Sequence, residues 1–214
     1  MLTGPILVLG ATSGIGELAV EEAAARGLRV RAFARGAGRI APSEHIEPAP
    51  GDARNPADLA AALSGTAAVI YALGIRERLA MLWEPETLFS ESTRALIEAM
   101  EEAGVRRLVA VTGFGAGRSR AAMSTLERLG HGALLGRPYE DKSRQEALIE
   151  SSELDWTIAR PVILTRGPRS GKLRVLRDPS EWRNGLVSRA DVATYLVDAI
   201  VQGRDIRRDV VLSR

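Results

Sequence analysis

The sequence predicts an α/β fold: a single domain built on a doubly wound parallel sheet with helices on both faces. Three observations carry this. Short, partly β-branched apolar runs alternate with segments of helical periodicity along the chain. The first of these runs is closed by a glycine-rich turn that opens a helix. Packing must also rest on Ala, Val, Leu and Ile, because aromatic residues make up only 4% of the 214 residues while hydrophobic residues reach 45%. That length can bury a sizeable core, and no repeat, low-complexity tract or linker divides it, so 1–214 reads as one domain.

Each element follows from its own signals. Ile6 to Leu9 is a short apolar strand ended by Gly10, and Glu17 to Arg26 has helical spacing that stops at Gly27. Leu28 to Ala34 gives a second strand, and Ile46 to Pro48 a weaker third one. Pro56 to Leu63 reads as a helix with Asn55 as its N-cap and proline at its first position; Ser64-Gly65 then leads into a fourth strand at Ala67 to Ala72. Glu84 to Ala103 is a long helix closed by Gly104, with acids on an exposed face, and Arg106 to Thr112 is the fifth strand. The alternation then breaks. Gly113 to Arg137 is rich in Gly and Ala and predicts a mobile crossing over the strand ends, with a helical piece at Met123 to Leu129. Pro138 to Ser151 is a helix with proline in its first turn, and Asp155 to Arg160 is a sixth strand stopped by Pro161. Residues 113–139 and 162–188 are the expected substrate-side loops. Arg189 to Val201 is the last helix and Val210 to Leu212 the last strand.

Composition removes several function classes. There is no Cys, and His45 and His131 lie far apart, so disulfides, thiolate catalysis and a Cys- or His-ligated metal are not expected. The N-terminus lacks a basic region and cleavage site, and no apolar run nears the roughly 20 residues that span a bilayer, so a cytoplasmic location without a membrane partner is expected. The net charge of +2 does not call for nucleic acid. Oligomeric state is not legible in these residues.

The first turn reads Gly10-Ala11-Thr12-Ser13-Gly14-Ile15-Gly16. Placed between a strand and a helix, such a turn lets backbone amides approach a pyrophosphate whose charge the helix N-terminus also favours. A dinucleotide cofactor is therefore expected. An Asp or Glu about 20 residues beyond the turn would accept a ribose 2′-hydroxyl. Here the second strand ends in Ala32-Phe33-Ala34-Arg35-Gly36, and Arg35 suits a 2′-phosphate, so NADP(H) is favoured over NAD(H). A solvated Arg35 is the plainer alternative. Asp52-Ala53 and Ala72-Leu73-Gly74 fall at the ends of the third and fourth strands, where the adenosine half of a dinucleotide lies, although Asp52 also suits a simple turn.

These motifs, together with GDARNPADLAAAL, VRRLVAVTGFGAG, KSRQEALIESSELDWTIARP and LVSRADVATYLVDAI, resemble those of the atypical short-chain dehydrogenase/reductases with an NmrA-like or biliverdin-reductase-B-like NAD(P)-binding domain. The likeness spans nearly the whole chain. It implies a Rossmann-type fold binding NADP(H), with the nicotinamide over the ends of the fifth and sixth strands. By position it implies that Thr112 takes the family's Ser/Thr place, Lys142 its lysine, and Pro161 and Val162 the loop beside the carboxamide. The turn departs from the Gly-x-x-Gly-x-x-Gly spacing of this branch.

Main-group members of that superfamily pair Tyr-x-x-x-Lys, whereas Tyr139 and Lys142 are three residues apart. Such a pair still shares a helix face, but a tyrosine directly after Pro138 has a capping or packing role as its alternative. Lys142 suits contact with the nicotinamide ribose, against a plain surface lysine, and Thr112 suits a substrate oxygen, against mere strand propensity. From Arg160 to Arg189 there are eight basic and two acidic residues, a rim that fits an anionic small-molecule substrate, with plain solvated loop charge as the alternative. The reading is an NADPH-dependent oxidoreductase that passes a hydride to a flavin, quinone or related conjugated acceptor. A non-catalytic NADP(H)-sensing binding protein is the alternative, and an epimerase or dehydratase the third.

Overall fold

A computed structural model describes residues 2–74 and 87–214, with the side chains at 125–136 excepted. The chain runs β1 (Ile6–Leu9), α1 (Gly14–Ala25), β2 (Val30–Ala34), β3 (Ile46–Pro50), α2 (Pro56–Leu63), β4 (Ala68–Tyr71), α3 (Leu88–Glu102) and β5 (Arg107–Val111). It continues through α4 (Thr125–Ser151), β6 (Asp155–Pro161), β7 (Ile163–Thr165), β8 (Arg174–Leu176), β9 (Leu186–Ser188), α5 (Arg189–Val201) and β10 (Arg208–Ser213). Eight strands form one sheet in the order β3-β2-β1-β4-β5-β6-β10-β8, parallel except for β8, which runs antiparallel to β10 at the edge. This is the expected Rossmann-type architecture.

Both sheet faces are covered, and alternation along each strand divides the core in two. Ile6, Val8, Ala68, Ile70 and Val109 pack under α1 and α5 with Val20, Val192 and Leu196. Their neighbours Leu7, Leu9, Val69, Tyr71 and Leu108 pack on the other face with Leu59 of α2, Leu96 of α3 and Ile149 of α4. Strands buried on both faces need apolar residues at successive positions, which is why these runs do not alternate with polar residues. Asn55 caps α2 by accepting the Ala57 N–H at 3.0 Å, as its side chain predicts.

Register places the functional edge. Leu9 pairs with Phe33 on one side and Tyr71 on the other, Tyr71 pairs with Ala110, and Ala110 with Ile158. These residues form one row across the sheet. Gly10, Arg35, Ala72, Thr112 and Arg160 therefore all lie one or two residues past the same row, at the carboxyl edge. The chain reverses its winding direction at β1 and β4, and that switch point is where a crevice opens in this fold class.

Two expectations are corrected. The stretch before Pro138 is no loose crossing: after a short 3-10 turn at Gly117–Ala122, α4 begins at Thr125 and continues through Pro138. α4 runs through Pro138 despite the lost backbone donor, so Tyr139 sits in a helix interior and not at a helix start. The stretch 162–188, expected as a loop, also holds more structure than its Gly, Pro and Arg content suggests, because β7 and β9 pair in parallel as a small second sheet and β8 extends the main one. Residues 84–86 of the expected long helix lie outside the described residues.

Candidate functional site

The turn after β1 is made of backbone. Gly10 has φ +84°, and a Cβ there would lie 2.5 Å from the Ala72 carbonyl oxygen, so the backbone of Ala72 and Leu73 presses directly against the turn, whereas Gly74 faces open space. A Cβ on Gly16 would overlap the Gly10 carbonyl, while Gly14, at φ +63°, faces open space. Ser13 stands at the N-cap of α1 without a side-chain capping bond, and Glu17 N–H makes the first helical bond to its carbonyl. The amides of Gly14, Ile15 and Gly16 thus have no partner within the helix. Thr12 is half-buried and Ser13 exposed beside them, whereas Ala11 is buried and Ile15 packs on the core. These donors and the open glycine fit an anionic pyrophosphate.

Beside the turn lies a cleft of about 300 Å³, bounded by Ala11, Thr12 and Glu17 on one side and Gly36, Arg39 and Ile40 on the other. Arg39 folds its guanidinium over Gly36, where a Cβ would meet Nη2 at 2.7 Å. Arg35 is exposed, and none of the ion pairs among the described residues uses it. Two cations therefore flank the end of β2, of which sequence reasoning found only Arg35. Arg39 lies in a 3-10 turn that no periodicity marks.

Asp52 is held in a turn. Its Oδ1 accepts the Arg54 N–H at 2.9 Å, and this bond, with the charges of Arg54 and Arg35 against the effect of burial, keeps its carboxyl below the usual range. The Ala53 methyl is part of the core with Phe33 and Leu59, so of this pair only Asp52 faces the edge.

At the end of β5 the three reactive candidates come together. Lys142 donates to the Thr112 carbonyl at 2.7 Å, and its ammonium lies 5.1 Å from the Phe89 ring centre and 5.2 Å from that of Tyr139. Burial pushes its pKa down to about 8, against the opposing pull of Glu146. The Tyr139 hydroxyl lies over Gly113, where a Cβ would meet it at 2.7 Å, and burial pushes the phenol up. The Thr112 hydroxyl turns the other way: it is buried and donates to Glu146 Oε1 at 2.6 Å. Pro161 and Val162 stand next to this loop, with the Pro161 carbonyl accepting the Phe114 N–H at 3.0 Å and the Val162 side chain in the core.

Sequence reasoning missed what lies beneath. Arg160, counted there among the rim cations, is wholly buried. Its Nε and Nη2 hold both oxygens of Glu146, at 2.9 and 2.8 Å, and its Nη1 pairs with Asp209. Arg118 donates to both oxygens of Asp209, sharing Oδ2 with Arg160, and Trp182 lies about equally close to both guanidinium groups, 5.0 Å from Arg118 and 5.2 Å from Arg160. Burial works to raise Asp209, but Arg118 and Arg160 outweigh it and hold the carboxyl low.

A family model described as NAD(P)H-binding matches residues 10–202, from the first glycine of the turn to the end of α5. The chain belongs to this NAD(P)H-binding family. The membership agrees with the resemblance to atypical short-chain dehydrogenase/reductases drawn from the motifs. Among solved structures, ChuY, an anaerobillin reductase from Escherichia coli O157:H7, is 25% identical over 98% of this chain and 96% of its own, with a TM-score of 0.80. An oxidoreductase of Lactococcus lactis matches at 19% identity, 98% and 90% coverage and TM-score 0.83. A short-chain dehydrogenase/reductase of Veillonella parvula DSM 2008, solved in complex with NADP, matches at 18% identity, 99% and 94% coverage and TM-score 0.82. The last two establish the shared fold. Among the described residues of this family member, no helix is long and apolar enough to cross a membrane.

Proposed function

We propose that this protein is an NADPH-dependent oxidoreductase that passes a hydride to a flavin, a quinone or a related conjugated acceptor. The observation that carries this is the meeting of Thr112, Tyr139 and Lys142 at the same sheet edge as the glycine turn. β1 and β5 are separated only by β4, so the turn and Thr112 lie about 10 Å apart at ordinary strand spacing. That distance suits a dinucleotide with its pyrophosphate on α1 and its nicotinamide over β5. The likeness to a reductase at 25% identity supports the same reading.

When bound, the reduced nicotinamide supplies the hydride. The first turn of α1 holds the pyrophosphate, and Arg35 and Arg39 give a 2′-phosphate two cations that an unphosphorylated ribose would leave unused. Lys142 donates to the ribose hydroxyls beside Thr112. The Thr112 proton is already given to Glu146, so a proton for the acceptor comes from Tyr139, which burial keeps protonated, or from solvent. Acceptors that need chiefly a hydride placed on a flat conjugated system suit such a site. Arg166, Lys172, Arg174 and Arg183 are exposed on 162–188 with no carboxylate within 4 Å among the described residues, and they favour an anionic acceptor.

Purified protein should oxidise NADPH when given FMN or a quinone. Tight NADPH binding without turnover across a broad acceptor panel would overturn the catalytic reading. Arg35→Ala should weaken NADPH binding by about 1–3 kcal/mol and leave NADH nearly untouched; an equal loss for both would remove Arg35 from the 2′-phosphate. A second reading, a binding protein that senses the NADP(H) redox state, is favoured by the inward-turned Thr112 hydroxyl. It requires unequal affinities for the oxidised and reduced cofactor, which calorimetry measures directly.

A further inference from the structure

One face of α4 carries Tyr139, Lys142, Ser143 and Glu146, and the loop after β5 closes onto all four. Gly113 admits the Tyr139 hydroxyl. Gly117, at φ +50°, lies so close to Glu146 that a Cβ would overlap its carboxylate, and the Gly117 N–H donates to Ser143 Oγ at 2.9 Å. Glu146 is itself 1% exposed and receives three directed bonds, one from the Thr112 hydroxyl and two from Arg160. A carboxylate taken this far from water needs such bonds, and the loop, the helix and β6 all supply contacts to the one group.

We propose that Glu146 is a positioning residue of the site: held by Arg160, it fixes the Thr112 hydroxyl inward and places a negative charge one helical turn from Lys142 on the same face of α4. This rests on the reading that Thr112 and Lys142 border the reacting end of the cofactor. Among the described residues, the other neighbours of Lys142 leave the task to Glu146. From β5 it meets the neutral Thr112 carbonyl, from α3 the Phe89 ring, and from its own helix the protonated Tyr139. Asp141, next in sequence, turns its carboxylate to the Phe89 and Ser90 amides that open α3. Glu146 lies one helical turn further on the Lys142 face, and its charge is the one that opposes the effect of burial on the amine. Behind Glu146 stand Arg160 from β6, Asp209 from β10, Arg118 from the 3-10 turn, and Glu150 on α4, whose carboxyl is raised by burial and by Glu146. Arg160 ties the carboxylate to this frame. With its proton given inward, Thr112 Oγ1 can accept a hydrogen bond from a ligand but has none to donate.

The chain contains only two lysines, Lys142 and Lys172, so a Lys172→Arg background leaves a single lysine to observe. Its ε-carbon resonance, followed by NMR from neutral to alkaline pH, should titrate near 8. Glu146→Gln should lower that midpoint by about one unit, a tenfold loss of proton affinity, and Glu146→Asp should restore most of it. Since Glu146→Gln strips Arg160 of a charged partner, the double variant Glu146→Leu/Arg160→Met is measured beside it; this exchanges the ion pair for apolar packing and leaves Asp209 to Arg118. NADPH affinity should fall with rising pH along the Lys142 titration and shift with it in each variant. A Lys142 midpoint unchanged in folded Glu146 variants overturns the proposal. A midpoint that moves while NADPH affinity ignores it upholds the role of Glu146 and instead overturns the placement of Lys142 at the cofactor.

Discussion

The two halves of the candidate site are built from different materials. Around Gly10 to Gly16 the working groups are backbone amides and carbonyls, and side chains matter chiefly by being absent. Under Thr112 the working groups are charged side chains from α4, β6, β10 and the 3-10 turn, buried together where no single segment could hold them. A backbone site costs little to maintain, since a helix end presents unpaired donors in any case. A buried charge network is stable only while each member keeps its partners. The two halves should therefore respond to substitution in opposite ways, the first through binding and the second through stability.

The largest effect is expected at Arg160. Arg160→Met leaves Glu146 and part of Asp209 as buried, underpaired carboxylates, and urea unfolding should show a loss of about 3–5 kcal/mol. A loss below about 1 kcal/mol would mean that the network is worth no more than surface ion pairs, and the contrast between the two halves would collapse.

Lys142 should behave in the opposite sense. Its pKa is depressed on folding, from the ordinary 10.5 to about 8, so the folded state binds fewer protons than the unfolded one between these values. Stability should therefore rise as pH increases from about 8 to about 10.5 and be lost again as pH falls back through the folded value. At neutral pH Lys142→Met should gain about 1–3 kcal/mol, less whatever its hydrogen bond to Thr112 contributed, while NADPH binding weakens. Thermal unfolding across this pH range checks both halves of the statement; a variant that is less stable at neutral pH and binds NADPH normally would make Lys142 a structural residue.

At the turn the expected change in stability is no larger than at Lys142, and binding carries most of the effect. Gly16→Ala forces a methyl against the Gly10 carbonyl and should cost about 1–3 kcal/mol of stability, yet remove most cofactor affinity if the turn holds the pyrophosphate as proposed. Gly14→Ala meets no neighbour and pays only for its positive φ, so it separates backbone strain from steric overlap. Equal effects of the two would show that shape near Gly10 is not what binds.

The same contrast explains how far the chain could be read. α2 with its Asn55 cap and α5 from Arg189 to Val201 match the expected boundaries, since local capping and periodicity specify them. Pro138 misled because proline signals are local, whereas the continuity of α4 depends on what packs along it. Arg160 misled further. A basic residue within a basic stretch reads as solvated surface, and its burial depends on Glu146, 14 residues before it, and Asp209, 49 residues after it. Arg39 was passed over because a guanidinium five residues past the strand end reaches the cleft only through the turn at Ala37–Arg39.

Local sequence was thus enough for the strand, turn and helix that make a phosphate cradle, and for the order of elements that makes a parallel sheet, because hydrogen bonding and side-chain periodicity act over a few residues. Thr112, Tyr139 and Lys142 came forward through the resemblance of the motifs to a known family, not through periodicity. Which way the Thr112 hydroxyl turns, how far the Lys142 ammonium is removed from water, and which cation holds Glu146 depend on packing alone. Charge burial is a property of the space between elements, and Thr112, Glu146, Arg160 and Asp209 share that space only once the sheet has formed.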